Sequence, residues 1–107
     1  MANTFKNALS KNVGTSAATL YTAPSSTNSI CIELDVCNTS AAGVTVDVYV
    51  TSSAVNYYIV KSAPVPVGGS LQVVSGQKIV VANGDAIKVV SSVASSIDVV
   101  AAILEGV

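Results

Sequence analysis

The two cysteines are the most reactive side chains that the sequence offers, because it contains no histidine. Cys31 and Cys37 lie in a stretch whose alternation of apolar and polar residues predicts one continuous strand. Six residues of strand span about 20 Å, whereas the Cα atoms of a disulfide lie within about 7 Å. We therefore expect two free thiols that fill space, with intermolecular pairing or metal binding as the alternative. Without histidine or a CxxC spacing, a zinc site is not expected.

Three carboxylates form a second group of interest. Glu33 and Asp35 share one face of the predicted strand 30–36, and a hairpin to a strand at 44–51 would bring Asp47 close to Asp35. Three such groups would suit calcium or an acid–base pair. The simpler reading is a solvated or salt-bridged surface, because the outward positions of a half-buried strand are normally polar. We expect no catalytic residue, no metal and no cofactor.

Tyr49, Tyr57 and Tyr58 would suit carbohydrate stacking, although tyrosine is also common on strands for packing reasons. The sequence contains no nucleophile elbow, no phosphate-binding glycine loop and no HExxH motif. We therefore predict a protein that is not an enzyme. Its net charge of −1 gives no electrostatic footprint for nucleic acid, and its longest apolar run is too short to cross a membrane.

The elements that must position these side chains are strands, because about a third of the residues are Val, Ile or Thr. The 107 residues suffice for one domain. Residues 1–16 keep no period and are predicted to be an N-terminal arm, followed by an all-β domain at 17–107. Spacings of 8 to 12 residues between strand starts predict a single antiparallel β-sandwich of seven or eight strands, either jelly-roll or Greek-key. The strands are predicted at 17–23, 30–36, 44–51, 55–60, 71–74, 79–82, 87–90 and 97–104.

Several predicted strands are apolar on both faces, and the run Val99 to Leu104 is the longest of them. Whichever register this strand adopts, one of its apolar faces lies away from its own core. A second copy of the chain would cover that face, so a homo-oligomer is expected. The arm is expected to dock on a neighbouring subunit. The predicted interface residues are Phe5, Leu9, Val13, Val100, Ala102 and Leu104.

The order of short Val/Thr/Gly-rich segments along the chain resembles small structural proteins of tailed bacteriophages, especially those of cyanobacteria. The resemblance implies a virion component assembled in the host cytoplasm, with the major capsid protein or other virion proteins as partners. A capsid decoration or cement protein is expected, as a trimer because such proteins commonly cap threefold positions. The alternatives are a neck, collar or tail protein, or a carbohydrate-binding fibre module. The segments are 12–15, 19–24, 44–48, 64–71, 82–89, 95–99 and 104–105.

Overall fold

The protein is a sandwich of two four-stranded antiparallel sheets, as predicted from the sequence. The computed structural model describes residues 4–106, and the eight strands occupy most of that range. The strands are β1 (Thr4–Val13), β2 (Ala18–Thr22), β3 (Ser29–Asn38), β4 (Val44–Ser52), β5 (Val55–Val65), β6 (Ser70–Val81), β7 (Ala86–Ser91) and β8 (Ile97–Glu105). No helix among the described residues has the length and apolar character needed to cross a membrane.

The strand order decides between the jelly-roll and Greek-key topologies, which the sequence does not distinguish. Sheet 1 has the order β1-β8-β3-β6, and sheet 2 has the order β2-β7-β4-β5. This arrangement, in which the chain passes repeatedly from one sheet to the other, is a jelly roll. Among the strands of residues 4–106, only β4 and β5 are consecutive strands that pair with each other. The predicted hairpin of 30–36 with 44–51 is therefore wrong, because β3 and β4 lie in different sheets.

The core lies between the sheets and consists almost entirely of branched aliphatic side chains. Their alternation along the strands produces it, since every second residue points inward. The fully buried large side chains are Leu34, Val36, Val46, Val48, Val65, Val74, Val81, Ile87, Val89, Ile97, Val99 and Ile103. The alternation of β4 predicts Val44, Val46, Val48 and Val50 to face inward; the first three are buried, whereas Val50 is only partly buried.

The alternation of residues 30–36 predicts Ile30, Ile32, Leu34 and Val36 on the inner face and Cys31 on the outer face. A β-bulge reverses this facing in the first half of β3. The pairing of β3 with both neighbours shifts between Cys31 and Glu33, which leaves Ile32 without a direct partner. A bulge of this kind changes the phase of the alternation by one residue. Leu34 points inward as predicted, but Cys31 also points inward, and Ile30 is only half-buried.

The neighbouring strand β6 is irregular at the same place. The sequence predicts separate strands at 71–74 and 79–82, but residues 71–74 and 79–81 belong to one strand, β6, which ends at Val81. Gly76 and Lys78 both have positive φ, at 89° and 50°, so residues 76–78 together lie opposite Ile32. The glycine between the two predicted strands, Gly76, thus marks a bulge inside one strand and not a turn between two.

The predicted N-terminal arm is also wrong for the residues that the structure describes. Residues 4–13 form β1, which pairs along its length with β8 of the same chain. β1 lies at the edge of sheet 1, where most of its side chains are exposed to solvent. Because these side chains are largely polar, the sequence does not show the apolar alternation that predicts a strand. Residues 1–3 of that arm, and residue 107 of the predicted sandwich domain, lie outside the described residues.

Candidate interaction surface

The three carboxylates do not come together. Glu33 and Asp35 lie on the outer face of sheet 1, whereas Asp47 belongs to β4 in sheet 2. Asp47 accepts a hydrogen bond from the backbone N–H of Ser62 at 2.7 Å, and Lys61 lies 3.9 Å from its other oxygen. Its role is to hold an irregular position of β5. Among residues 4–106 no three potential metal ligands form a cluster.

The two cysteines lie on opposite sides of β3. Cys31 is completely buried in the core, and Cys37 is exposed. Burial raises the pKa of the Cys31 thiol to about 11, partly offset by a backbone hydrogen bond at Glu33. Cys31 is therefore a space-filling apolar side chain, whereas Cys37 presents a thiol to solvent near one end of the strand.

The three tyrosines do not form one flat platform for a sugar ring. Tyr49 is 7% exposed and packs against Tyr58 with ring centroids 4.9 Å apart. The ammonium group of Lys61 lies 4.5 Å from the centre of the Tyr58 ring. Tyr57 lies on the other face of β5, because consecutive strand residues point in opposite directions. The aromatic contacts of Tyr58 are thus internal to sheet 2.

The most prominent surface feature is apolar and follows the β1–β8 pair. In the register of these strands Phe5 pairs with Leu104, and Leu9 pairs with Val100. Directly paired residues share one face of a sheet. Phe5, Leu9 and Val100 are 75%, 66% and 51% exposed, so this face is the outer one. We define the apolar patch as Phe5, Leu9, Val100, Ala102 and Leu104.

Five of the six predicted interface residues therefore lie together on one surface. The sixth, Val13, does not. It is 3% exposed and belongs to the core. The reason is a bulge in β1 between Ser10 and Val13, where Asn12 has a φ of 54°. The extra residue turns Val13 inward, away from the side on which Phe5 and Leu9 lie.

Sequence reasoning missed the continuation of the patch across sheet 1. Leu104 also pairs with Ile30 on β3, and Ile30 pairs with Val80 on β6. Val80 is 64% exposed. A row of four large apolar side chains thus crosses the outer face from Phe5 to Val80. The Val80-Val81 doublet is the sequence signal for it, since only one of two adjacent strand residues can point into the core.

Charged groups mark both ends of the β1–β8 pair. At one end Lys11 lies 3.2 Å from Asp98, which also accepts the backbone N–H of Asn12 at 3.0 Å. These contacts, the backbone hydrogen bond first, lower the pKa of Asp98. Lys11 and Asp98 are thus paired with each other at this end. By contrast, Asp35 of β3, beside Val100, has a buried oxygen with no hydrogen-bond partner among residues 4–106.

At the other end Glu105 accepts hydrogen bonds from the hydroxyl of Tyr21 at 2.5 Å and from Lys6 at 3.2 Å. The Tyr21 bond is the larger cause of a lowered pKa at Glu105. Burial, followed by the bond to Glu105, raises the pKa of Tyr21. Tyr21 also shares a hydrogen bond with the buried Ser29, so β8 is tied here to both sheets.

Comparison with known proteins supports the fold. No protein-family model and no curated protein matches the sequence. Among solved structures, the chain is similar to one described under "Bacillus endospore appendages form a novel family of disulfide-linked pili", with a TM-score of 0.58 and 15% identity. The alignment covers 98% of this chain and 88% of that chain. The two chains share a fold. At this identity the likeness extends to the β-sandwich and to nothing finer.

Proposed function

We propose that the protein is a non-enzymatic structural component of a tailed-phage virion, and that it decorates the outside of the head. The apolar patch is the observation that carries the structural role. A soluble monomer rarely leaves several large apolar side chains together on one rigid surface, and such surfaces mark sites of protein association. The resemblance of the ordered sequence segments to phage structural proteins supports the virion as the location.

The other surfaces also favour a structural role. A groove of about 540 Å³ is lined by Gly43, Val44, Thr45, Pro64, Val65, Pro66 and Ser92, and none of these side chains is an acid, a base or a thiol. General acid–base catalysis needs a titratable group within reach of the substrate. Elsewhere on residues 4–106, the ion pairs Lys6–Glu105, Lys11–Asp98 and Lys61–Asp47 join neighbouring strands.

We assign the apolar patch to contacts between copies of this chain, with a trimer as the proposed assembly. Ten strand residues at about 3.3 Å and four strands about 4.8 Å apart make the outer face of sheet 1 roughly 600 Å². A stable interface buries about 800 Å² on each partner, so this face is close to the size of a complete interface. The assembled protein would then bind the major capsid protein through its other surfaces.

Copy number in purified particles tests the location. A head decoration protein should approach the number of major capsid subunits, and imaging should place it on the head surface. About a dozen copies at one vertex would instead support a neck or tail protein. Absence from particles, or assembly of the purified protein into fibres on its own, would contradict the proposal. A glycan-binding measurement on the same protein should be negative, because the tyrosines form no platform.

A further inference from the structure

We propose that the first eight described residues, Thr4 to Lys11, form an exchangeable strand that pairs with β8 of a second copy of this chain in the assembled protein. This inference goes beyond the proposed function, because it concerns how copies are joined rather than where they act. It is based on the shallow anchoring of this segment, on the conformation of Asn12, and on the firm anchoring of the residues that follow.

The exchangeable strand contributes almost nothing to the core. Of its eight residues only Ala8 is buried, and Ser10 is half-buried. Its large apolar side chains, Phe5 and Leu9, lie on the outer face instead. By contrast, β8 on the other side of the pair is deeply embedded, with Ile97, Val99 and Ile103 at most 1% exposed. Little buried apolar area therefore opposes the release of the strand.

The contacts that do hold this strand are ones that an identical chain supplies equally well. They are the backbone ladder to β8, from Thr4 opposite Glu105 to Ser10 opposite Val99, and the ion pairs Lys6–Glu105 and Lys11–Asp98. The lysines are 44% and 77% exposed, so each pair contributes little on its own. Exchange between copies remakes every one of these contacts, which is the condition for domain swapping.

Asn12 is placed to act as the hinge. It lies in the β1 bulge with a φ of 54°, in the left-handed region that non-glycine residues seldom adopt. A change of φ at this one residue to the extended region would direct Thr4 to Lys11 away from its own β8. Hinges are usually one or a few such positions at the end of an element.

The chain beyond the hinge is held firmly. Val13 is buried, and its carbonyl oxygen accepts the N–H of Ser96 at 3.0 Å. The carbonyl oxygen of Gly14 accepts the N–H of Ser91 at 2.9 Å. A Cβ on Gly14 would lie 3.0 Å from the backbone nitrogen of Ser95, so a side chain there would not fit without movement. Exchange therefore involves the residues before Val13 and leaves the sandwich intact.

Exchange would make the apolar patch a composite surface. Phe5 and Leu9 would come from one copy, and Val100, Ala102 and Leu104 from the other. Pairing of an added strand with an exposed sheet edge is a general mode of protein association, in which the backbone hydrogen bonds give affinity. Here the added strand has the same sequence as the strand that it replaces.

Disulfide trapping tests the exchange. Ala8 pairs with Ala101, and both point into the sandwich, so cysteines at these positions meet only when β1 occupies its place beside β8. Docking of two outer faces cannot bring them together. Paired Cα atoms in an antiparallel ladder are about 4.5 to 5.5 Å apart, which a disulfide can bridge. Because Cys31 lies nearby on the same face, all chains carry Cys31→Ala and Cys37→Ser.

Chains with Ala8→Cys and chains with Ala101→Cys are co-expressed, purified as the assembled protein and oxidised. Because a strand meets either kind of chain equally often, about half of the Ala8→Cys chains should become covalent dimers on a non-reducing gel. The matched control is co-expression of Thr51→Cys and Asn56→Cys chains, which pair across the β4–β5 hairpin and should remain monomeric. The chain carrying both Ala8→Cys and Ala101→Cys shows that the pair can be oxidised.

The proposal is overturned if the co-expressed chains give no more dimer than the control while the double variant closes within a monomer. If a cysteine at 101 prevents folding, the next pair with the same facing, Ser10→Cys and Val99→Cys, gives the same test. The hinge supplies an independent readout. At a protein dilution at which the original chains trap only a small part of this maximum, Asn12→Val, which disfavours positive φ, should increase the trapped dimer, whereas Asn12→Gly should not. Failure to trap a dimer would contradict strand exchange but not the proposed location in the virion. Absence of the protein from particles would contradict that location but not strand exchange.

Discussion

At the scale of single residues, Val100 is the centre of the proposed contact. It is half exposed on β8, with Leu9 beside it on β1 and Asp35 on β3. Its neighbour Val99 points into the core and is 1% exposed. Two adjacent valines thus have different roles, one in stability and one in association.

Replacing Val100 with Asp should weaken association of the subunits roughly tenfold or more, because an unpaired carboxylate would be buried at the contact. The fold should remain, since the side chain lies outside the core. Sedimentation over a concentration series measures the association. Val67→Asp is the matched control, because Val67 is similarly exposed at 57% but lies away from the patch. Equal association of both variants would exclude the patch as the interface.

The two thiols should differ sharply in reactivity. The thiolate is the reacting species, and burial both hides Cys31 and raises its pKa to about 11. Alkylation of the native protein near neutral pH should therefore modify Cys37 alone, as mass analysis of peptides would show. Both residues should react in denaturant. Rapid modification of Cys31 in the folded protein would mean that the bulge does not turn it inward.

At the scale of elements, the two ends of the β1–β8 pair make sheet 1 sensitive to acid. The pKa values of Glu105 and Asp98 are lowered in the folded protein, first of all by hydrogen bonds from Tyr21 and from the Asn12 backbone. Carboxylates of this kind stabilise the fold above their unfolded pKa. That stabilisation is lost as the pH falls through the lower, folded values.

The midpoint temperature of thermal unfolding should therefore decrease as the pH is lowered from 7 to 3. Glu105→Gln should make that decrease smaller. Unfolding followed by circular dichroism at several pH values measures it. Glu33→Gln, on the exposed outer face of β3, is the control and should keep the pH dependence of the original chain. If Glu105→Gln and Glu33→Gln behave alike, the bond to Tyr21 does not contribute to stability.

The turn between β4 and β5 carries backbone strain. Ser53 and Ala54 have φ values of 52° and 63°, the pattern of a two-residue type I′ turn, which favours Asn and Gly. Ala54→Gly should raise the free energy of unfolding by about 1 kcal/mol, measured in urea. Ala41→Gly, at an exposed position whose φ is not positive, should not stabilise. A decrease on Ala54→Gly would mean that chain entropy outweighs the relief of strain.

The elements show why sequence reasoning succeeds in some places and fails in others. Val44 to Val48 alternate without interruption, so their facing is predictable. Around Ile32 the backbone inserts an extra residue, and no side-chain pattern reveals it. β1 is missed because an edge strand needs only one or two inward residues. Most of the apolar patch is predictable from the sequence, because a strand with apolar residues on both faces must present one of them away from the core. Val13 is the exception, since the bulge in β1 turns its side chain into the core.

At the scale of the whole molecule, the two outer faces of the sandwich differ in character. Sheet 1 presents the apolar patch, whereas sheet 2 presents Tyr58 with Lys61 and Asp47 beside it. The molecule is therefore two-sided, and an assembly formed through sheet 1 leaves sheet 2 for a different partner. This asymmetry is what a protein needs if it must associate with itself and also attach to a larger surface.

The position of β8 also governs how the chain reaches its fold. Of the eight strands, β8 comes last along the sequence, yet it lies in the middle of sheet 1 between β1 and β3. On the ribosome, β1 has no partner in sheet 1 until β8 has emerged. Topologies dominated by such distant pairings fold in milliseconds to seconds. Refolding from urea, followed by stopped-flow tyrosine fluorescence, should be correspondingly slow, and the nascent β1 remains unpaired throughout the synthesis of the strands that follow it.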